Sequence, residues 1–205
     1  RILRLPTDGK PISIIDVSGV PSDITTTVVA VLSRLVFDYA SWAREERTRP
    51  ILLVCEEAHR YVPSEKHFDA SAVGKVLSRI AKEGRKYGVA LGLVTQRPSD
   101  LAEGVLSQCG TIISMRLNNE RDQAFVRAAM PEGARGFLDS IPALRNRECI
   151  ICGEDAAVPM RVTFDTLEEA KRPASEDPSF SALWRETGGE EEALQRIVHR
   201  WRTHS

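Results

Sequence analysis

Ile51 to Pro63, ILLVCEEAHRYVP, is the stretch that most limits what this chain can fold into. Ile51 to Val54 is a short apolar run suited to a strand buried on both faces, and Cys55 can finish it. Glu56 and Glu57 then arrive together. In an open parallel α/β sheet, the carboxyl end of a strand is where ligands bind. Two adjacent carboxylates there are costly to desolvate unless a cation or a water-activating role compensates. An ordinary reading stands beside that one: a buried strand running into a solvated acidic helix start, where Glu favours the N-terminal dipole.

Further along, Gly84-Arg85-Lys86-Tyr87-Gly88 precedes an apolar strand, Val89 to Val94, which ends in Thr95-Gln96-Arg97-Pro98. A strand ending in a polar Thr-Gln is suited to sensing a γ-phosphate. The Gln amide can donate to a phosphate oxygen and accept from a lytic water. Taken in order, EEAHRYVP, EGRKYG and LVTQRPSDL resemble the HerA/FtsK superfamily of hexameric, DNA-translocating ATPases, and the HerA branch most. The resemblance runs from about Ile12 to Phe164.

That resemblance implies an α/β P-loop NTPase fold of the RecA-like, FtsK-HerA type. It has a mostly parallel central sheet flanked by helices, then a carboxyl-terminal β-hairpin and a helical tail. The Ile51 strand would be the Walker B strand. Glu57 would be the catalytic base, Glu56 the acid facing Mg²⁺ directly or through water, and Gln96 the γ-phosphate sensor, with Thr95 beside it at the bound ATP. Arg85 would reach across a subunit boundary as an arginine finger, since a guanidinium suits a γ-phosphoryl group by geometry and permanent charge. Arg79 is its substitute, and both belong to a basic helix end that a helix dipole alone would favour. Arg60, Lys66 and His67 lie on a loop, Ala58 to Asp69, that in a ring can face the pore and touch DNA phosphates; a plain surface loop is the alternative. His59 reads alone as a packed or capping residue, and the resemblance places it near the nucleotide or a subunit contact.

The chain has 205 residues, 42% hydrophobic and 28% charged, enough for one sizeable soluble α/β domain. A net charge of −1 excludes a globally basic nucleic-acid binder, so any DNA contact must be local. No apolar run approaches membrane-spanning length and no signal peptide pattern is present. Cys149 and Cys152 have CxxC spacing but sit in an expected strand, Glu148 to Gly153, where residues three apart point to opposite faces. They read as small buried hydrophobes in a reducing, cytoplasmic setting.

Ile12 to Val17 reads as the first strand, after a turn at Thr7 to Lys10. A helix from about Ile24 to Arg47 follows, capped by Ser22 or Asp23, with Val28, Leu32, Leu35, Val36 and Tyr39 on its core face. With the Ile51 strand this makes a βαβ unit. A helix from Ser71 to Lys86, a short one from Leu101 to Ser107 capped by Ser99-Asp100, a strand from Gly110 to Leu117 and a helix from Glu120 to Met130 come next. Glu148 to Gly153 and Val158 to Phe164 form a hairpin. Residues 1–165 are thus the motor part, and 166–205 a linker and helical tail. Trp184 and Trp201 in the tail either fold back or dock on a neighbouring subunit or a partner nuclease.

No G-x-x-x-x-G-K-[S/T] loop is present: Gly9-Lys10 precedes Pro11 and Gly74-Lys75 precedes Val76. The resemblance implies that the phosphate cradle and an amino-terminal β-barrel lie upstream, the chain being a fragment that opens at Arg1. Glu56 stands where most Walker B strands carry Asp. The expected function is an ATP- and Mg²⁺-dependent duplex DNA translocase, a homo-hexamer working with a nuclease in end processing or phage defence. A conjugation or secretion motor, or a non-hydrolysing assembly module, are the alternatives.

Overall fold

The computed structural model describes residues 11–43, 50–64, 71–130, 133, 135–154, 156–172, 181, 184–185 and 191–203. The chain divides into two compact units, Arg1–Asp165 and Thr166–Ser205.

Pro21 opens helix α1, Ser22–Trp42. Its ring fixes φ near the value found here, −54°, and its carbonyl accepts from Ile24 and Thr25 backbone N–H groups at 3.0 Å. The capping position therefore falls on Pro21, and Ser22 and Asp23 lie inside the helix. The buried stripe is also rotated from the expected one. Ala30, Ser33, Val36, Phe37 and Ala40 face the core, while Leu35 is exposed. Small residues at 30, 33 and 40 let α1 approach helix α2, Ala72–Glu83, and Phe37 fills the seam. Its ring meets Tyr87 edge-on at 5.2 Å, and the Arg79 guanidinium lies 4.4 Å over it. The expected helix end at Arg44 to Arg47 lies outside the described residues.

By length and composition, Ile24–Trp42 is apolar enough to cross a membrane, contrary to the expectation from the sequence. Arg34 and Asp38 interrupt it as an i,i+4 ion pair, and its Phe37 face is part of the core.

Strands β1, Ile51–Cys55, and β2, Val89–Leu93, pair in parallel, Ile51 opposite Val89 and Cys55 opposite Leu93. The connection between them carries α2, capped by Ser71, whose Oγ accepts from Gly74 N at 3.0 Å. The expected single helix to Lys86 instead tightens into a 3₁₀ turn, Gly84–Tyr87, which Gly88 ends at φ 74°. Phe37, Leu77 and Ile80 are fully buried between the helices and this sheet, each burial contributing roughly 1.5–3 kcal/mol.

Two strand expectations are corrected. Ile12 to Val17 forms no strand: it joins no ladder with the described residues, and Ile12 and Ile14 are exposed. The expected βαβ unit is thus replaced by the β1–β2 pair. In addition, β1 is covered on one face only, with Leu52 64% and Val54 54% exposed.

Downstream, helix α3 is Glu103–Leu106. Strand β3, Thr111–Ser114, pairs antiparallel with β4, Glu148–Gly153, which pairs antiparallel with β5, Ala156–Thr163. Gly153 turns this hairpin at φ 130°, where a side chain would strike the Gly110 carbonyl. Helices α4, Glu120–Ala129, and α5, Arg135–Leu138, accompany it. Leu138, Ile141, Leu144, Ile150 and Cys152 form a second core. Cys149 and Cys152 are both buried, and burial raises both thiols, as inert core residues require. The described strands thus fall into a parallel pair and an antiparallel triple. In the second unit, helix α6, Glu191–Thr203, exposes Leu194, Ile197 and Trp201.

Candidate functional site

The carboxyl ends of β1 and β2 remain bonded beyond the strands. Val94 N donates to Cys55 O at 3.0 Å, and Ala58 N donates to Val94 O at 2.8 Å. One residue of β2's chain therefore spans two partners, and Glu56-Glu57 between them must loop outward. Glu57 accomplishes this in the left-handed region, φ 50° and ψ 47°. Such a conformation in a non-glycine residue costs free energy and clusters at functional sites. A three-residue 3₁₀ turn, Ala58–Arg60, follows, so the acids do not open an α-helix.

This bulge faces Thr95-Gln96. Gln96 Nε2 donates to Glu57 Oε1 at 3.4 Å. Glu57 Oε2 lies 3.4 Å from His59 Nδ1, which is 3.1 Å from Thr95 Oγ1. Thr95 Oγ1 also accepts from Arg97 N at 3.0 Å. Glu57, His59, Thr95 and Gln96 therefore converge in one constellation, although 39 residues separate its ends. Glu56 is exposed beside it. Both acids line one end of an open groove of roughly 1540 Å³ that runs between β2 and β3. Among the described residues, β2 pairs only with β1 and β3 only with β4, so the groove lies between two unpaired strand edges.

The basic candidates lie apart from the acids, although Arg85 lines the same groove. Arg85 is exposed in the turn before the amino end of β2. Gln96 is at the other end, about 20 Å away at some 3.3 Å per residue. The chain does not bring Arg85 to its own acids. Arg79 is committed to Phe37 and to Glu83, 3.5 Å away, which opposes its service as a substitute finger. Arg60 is exposed, and Lys66 and His67 lie outside the described residues.

Two positions carry more than the sequence indicated. His59 is part of the constellation; alone it read as a packed or capping residue, and its signals were its place two residues after the acids and the family resemblance. Asp122 gave no signal at all. It is buried, and its Oδ1 accepts from Ser99 N at 3.0 Å, tying α4 to the turn Pro98–Asp100 that follows Gln96. Ser99 and Asp100 are therefore inside a turn and do not cap α3, which starts at Glu103.

No protein-family model matches the chain. It is 40% identical over 125 residues to the DNA double-strand break repair helicase HerA of Pyrococcus furiosus, covering 61% of this chain and 22% of that protein. It is 28% identical over 194 residues to HerA of Sulfolobus acidocaldarius, covering 93% and 38% respectively. The chain thus spans well under half the length of these curated relatives. In fold it is similar to the genome packaging NTPase B204 of Sulfolobus turreted icosahedral virus 2, solved with AMPPCP. The TM-score is 0.53 at 17% identity, over 70% of this chain and 63% of that one. In sequence the chain is thus similar to part of the HerA repair helicases, and in fold to a genome packaging NTPase.

Proposed function

We propose that this chain is the hydrolytic part of an ATP-driven duplex DNA translocase of the HerA type, working as a homo-hexameric ring with a partner nuclease in DNA end processing or anti-phage defence. The observation that carries the reading is the convergence of Glu57 with Gln96 and Thr95 at the carboxyl end of a parallel strand pair. Relatives named as double-strand break repair helicases and a fold neighbour named as a genome packaging NTPase support the DNA and nucleotide parts. Residues 1–165 are the carboxyl-terminal part of the motor domain, and 166–205 a linker and tail. Among the described residues the facing edges of β2 and β3 are unpaired, and the groove between them has room for a strand carrying a phosphate-binding loop.

In this reading Glu57 accepts the proton of the attacking water, and Gln96 exchanges its bond to Glu57 for one to the γ-phosphate. Arg85, held far from its own acids, serves a neighbouring copy in trans. Glu56 fits a Mg²⁺ role. It is an exposed carboxylate at the groove mouth, and Mg²⁺ in ATPase sites takes one or two carboxylates plus phosphates and waters. Bound there, the ion would neutralise phosphate charge. Arg60, Lys66 and His67 contact DNA phosphate, and the protein is cytoplasmic.

Glu57→Gln in the complete protein tests the assignment. ATP turnover is expected to fall about 10²–10⁴-fold. Turnover within about tenfold of wild type removes Glu57 as the base.

A further inference from the structure

We propose that His59 is a positioning residue that locks the base Glu57 to the sensor strand through Thr95; this rests on the hydrolytic reading above. The imidazole is rooted in a rigid place. Ala58, directly before it, is fully buried and bonded to Val94 O, and Arg60 N closes the turn on Glu57 O at 2.9 Å. The ring is 21% exposed, with Nδ1 within reach of both Thr95 Oγ1 and Glu57 Oε2.

The hydrogen-bond inventory fixes the roles. A carboxylate only accepts, so a ring nitrogen facing it is favourable when it carries the proton. An Nδ1–H there can be shared between Glu57 Oε2 and Thr95 Oγ1. Thr95 Oγ1 is itself aimed by the Arg97 N–H. Glu57 Oε1 meanwhile takes the Gln96 amide. The two carboxylate oxygens are thus held by donors from two different segments, and the group cannot rotate without losing one. Contacts of 3.4 Å on a side chain 40% exposed contribute little to stability. What they set is direction, and a misplacement of about 1 Å can cost about 10²-fold in rate. When Gln96 turns to a phosphate, His59 is the contact that still holds the base.

The test is steady-state ATP hydrolysis by the complete protein, comparing wild type, His59→Ala, His59→Asn and Glu57→Gln. His59→Ala is expected to lower kcat about 10- to 100-fold with KM for ATP within about threefold. His59→Asn sets an amide donor near the Nδ1 position and is expected to recover kcat to within about threefold of wild type. An Ala variant at wild-type kcat, or an Asn variant no better than Ala, overturns the proposal. Should the Ala variant fail to assemble, Thr95→Val carries the test, since it keeps shape and removes the hydroxyl. It is expected to lose kcat as His59→Ala does, and unchanged kcat overturns the proposal. If Glu57→Gln keeps its turnover, the hydrolytic reading falls and the role of His59 falls with it. If Glu57→Gln is silent while His59→Ala turns over normally, the positioning role alone falls.

Discussion

Replacing Glu57 by Asn separates the cost of its backbone from the work of its carboxylate. Glu57 sits at φ 50° and ψ 47°, a left-handed conformation that costs roughly 1–2 kcal/mol for an L-residue with an ordinary side chain. Asn visits this region readily because its short amide can bond locally. The contacts forfeited are one to Gln96 and one to His59, both 3.4 Å and partly exposed, worth about 0–1 kcal/mol together. The balance spans about 0–2 kcal/mol and centres on a gain of about 1 kcal/mol. For a domain of this size that raises the melting temperature by about 1–4 °C. Glu57→Gln keeps the long side chain and the backbone cost, so it gains nothing. Both variants lose the base and about 10²–10⁴-fold in turnover. Thermal melts of the complete protein, run beside its ATPase rate, read both quantities. If the Asn and Gln variants melt together, the left-handed bulge holds no cost and the link between strain and function is refuted.

Three further outcomes are expected. Arg85→Ala in the assembled protein should lower turnover about 10³-fold or more and leave the melt unchanged. Arg79→Ala should lower stability by about 0.5–1 kcal/mol through the lost Phe37 contact and spare turnover; the reverse pattern would exchange their roles. Gly84→Ala in the seam between α2 and β2 should lower the melting temperature despite the higher helix propensity of Ala. Its Cβ would press on the Val89 carbonyl oxygen, and overpacking costs about 1–3 kcal/mol against about 1 kcal/mol gained. Gly104→Ala, with open space around it, is the control, and equal melts for the two would contradict the packing described. Burial pushes the Cys55 thiol up to about 11 from its ordinary 9.0. Its folded pKa lies above its unfolded one, so its contribution is fully present below pH 9.0 and is lost as pH rises toward about 11. Native Cys55 should resist alkylation at pH 8 and react on unfolding, as mass spectrometry of the labelled protein would read; rapid native labelling would contradict its burial.

Much of the site was legible in the sequence because its parts end apolar strands. Ile51 to Val54 and Val89 to Val94 are local signals, and the polar residues after each must emerge at the same sheet edge once the strands pair in parallel. The register then brings Gln96 to Glu57. The β4–β5 hairpin was legible for the same reason, its alternation and turn being local. What was not legible depended on contacts between distant segments. The rotated face of α1 is set by the close approach of α2, which favours Ala30 and Ala40 over the larger Leu35. Ile12 to Val17 has strand composition and no described partner, and composition cannot supply a ladder. The contacts of His59 with Thr95 and of Asp122 with Ser99 span 36 and 23 residues, so no periodicity announces them. The left-handed turn at Glu57 follows from Val94 bonding both Cys55 and Ala58, which no single residue type encodes.

The motor reading is tested most directly by the ATP turnover of the complete wild-type protein, with and without linear duplex DNA, alongside the mass of the assembly. A hexamer whose turnover rises when DNA is added is the predicted result. A stable assembly with no turnover under any DNA condition would contradict it, leaving Glu56 and Glu57 as a turn in an assembly module.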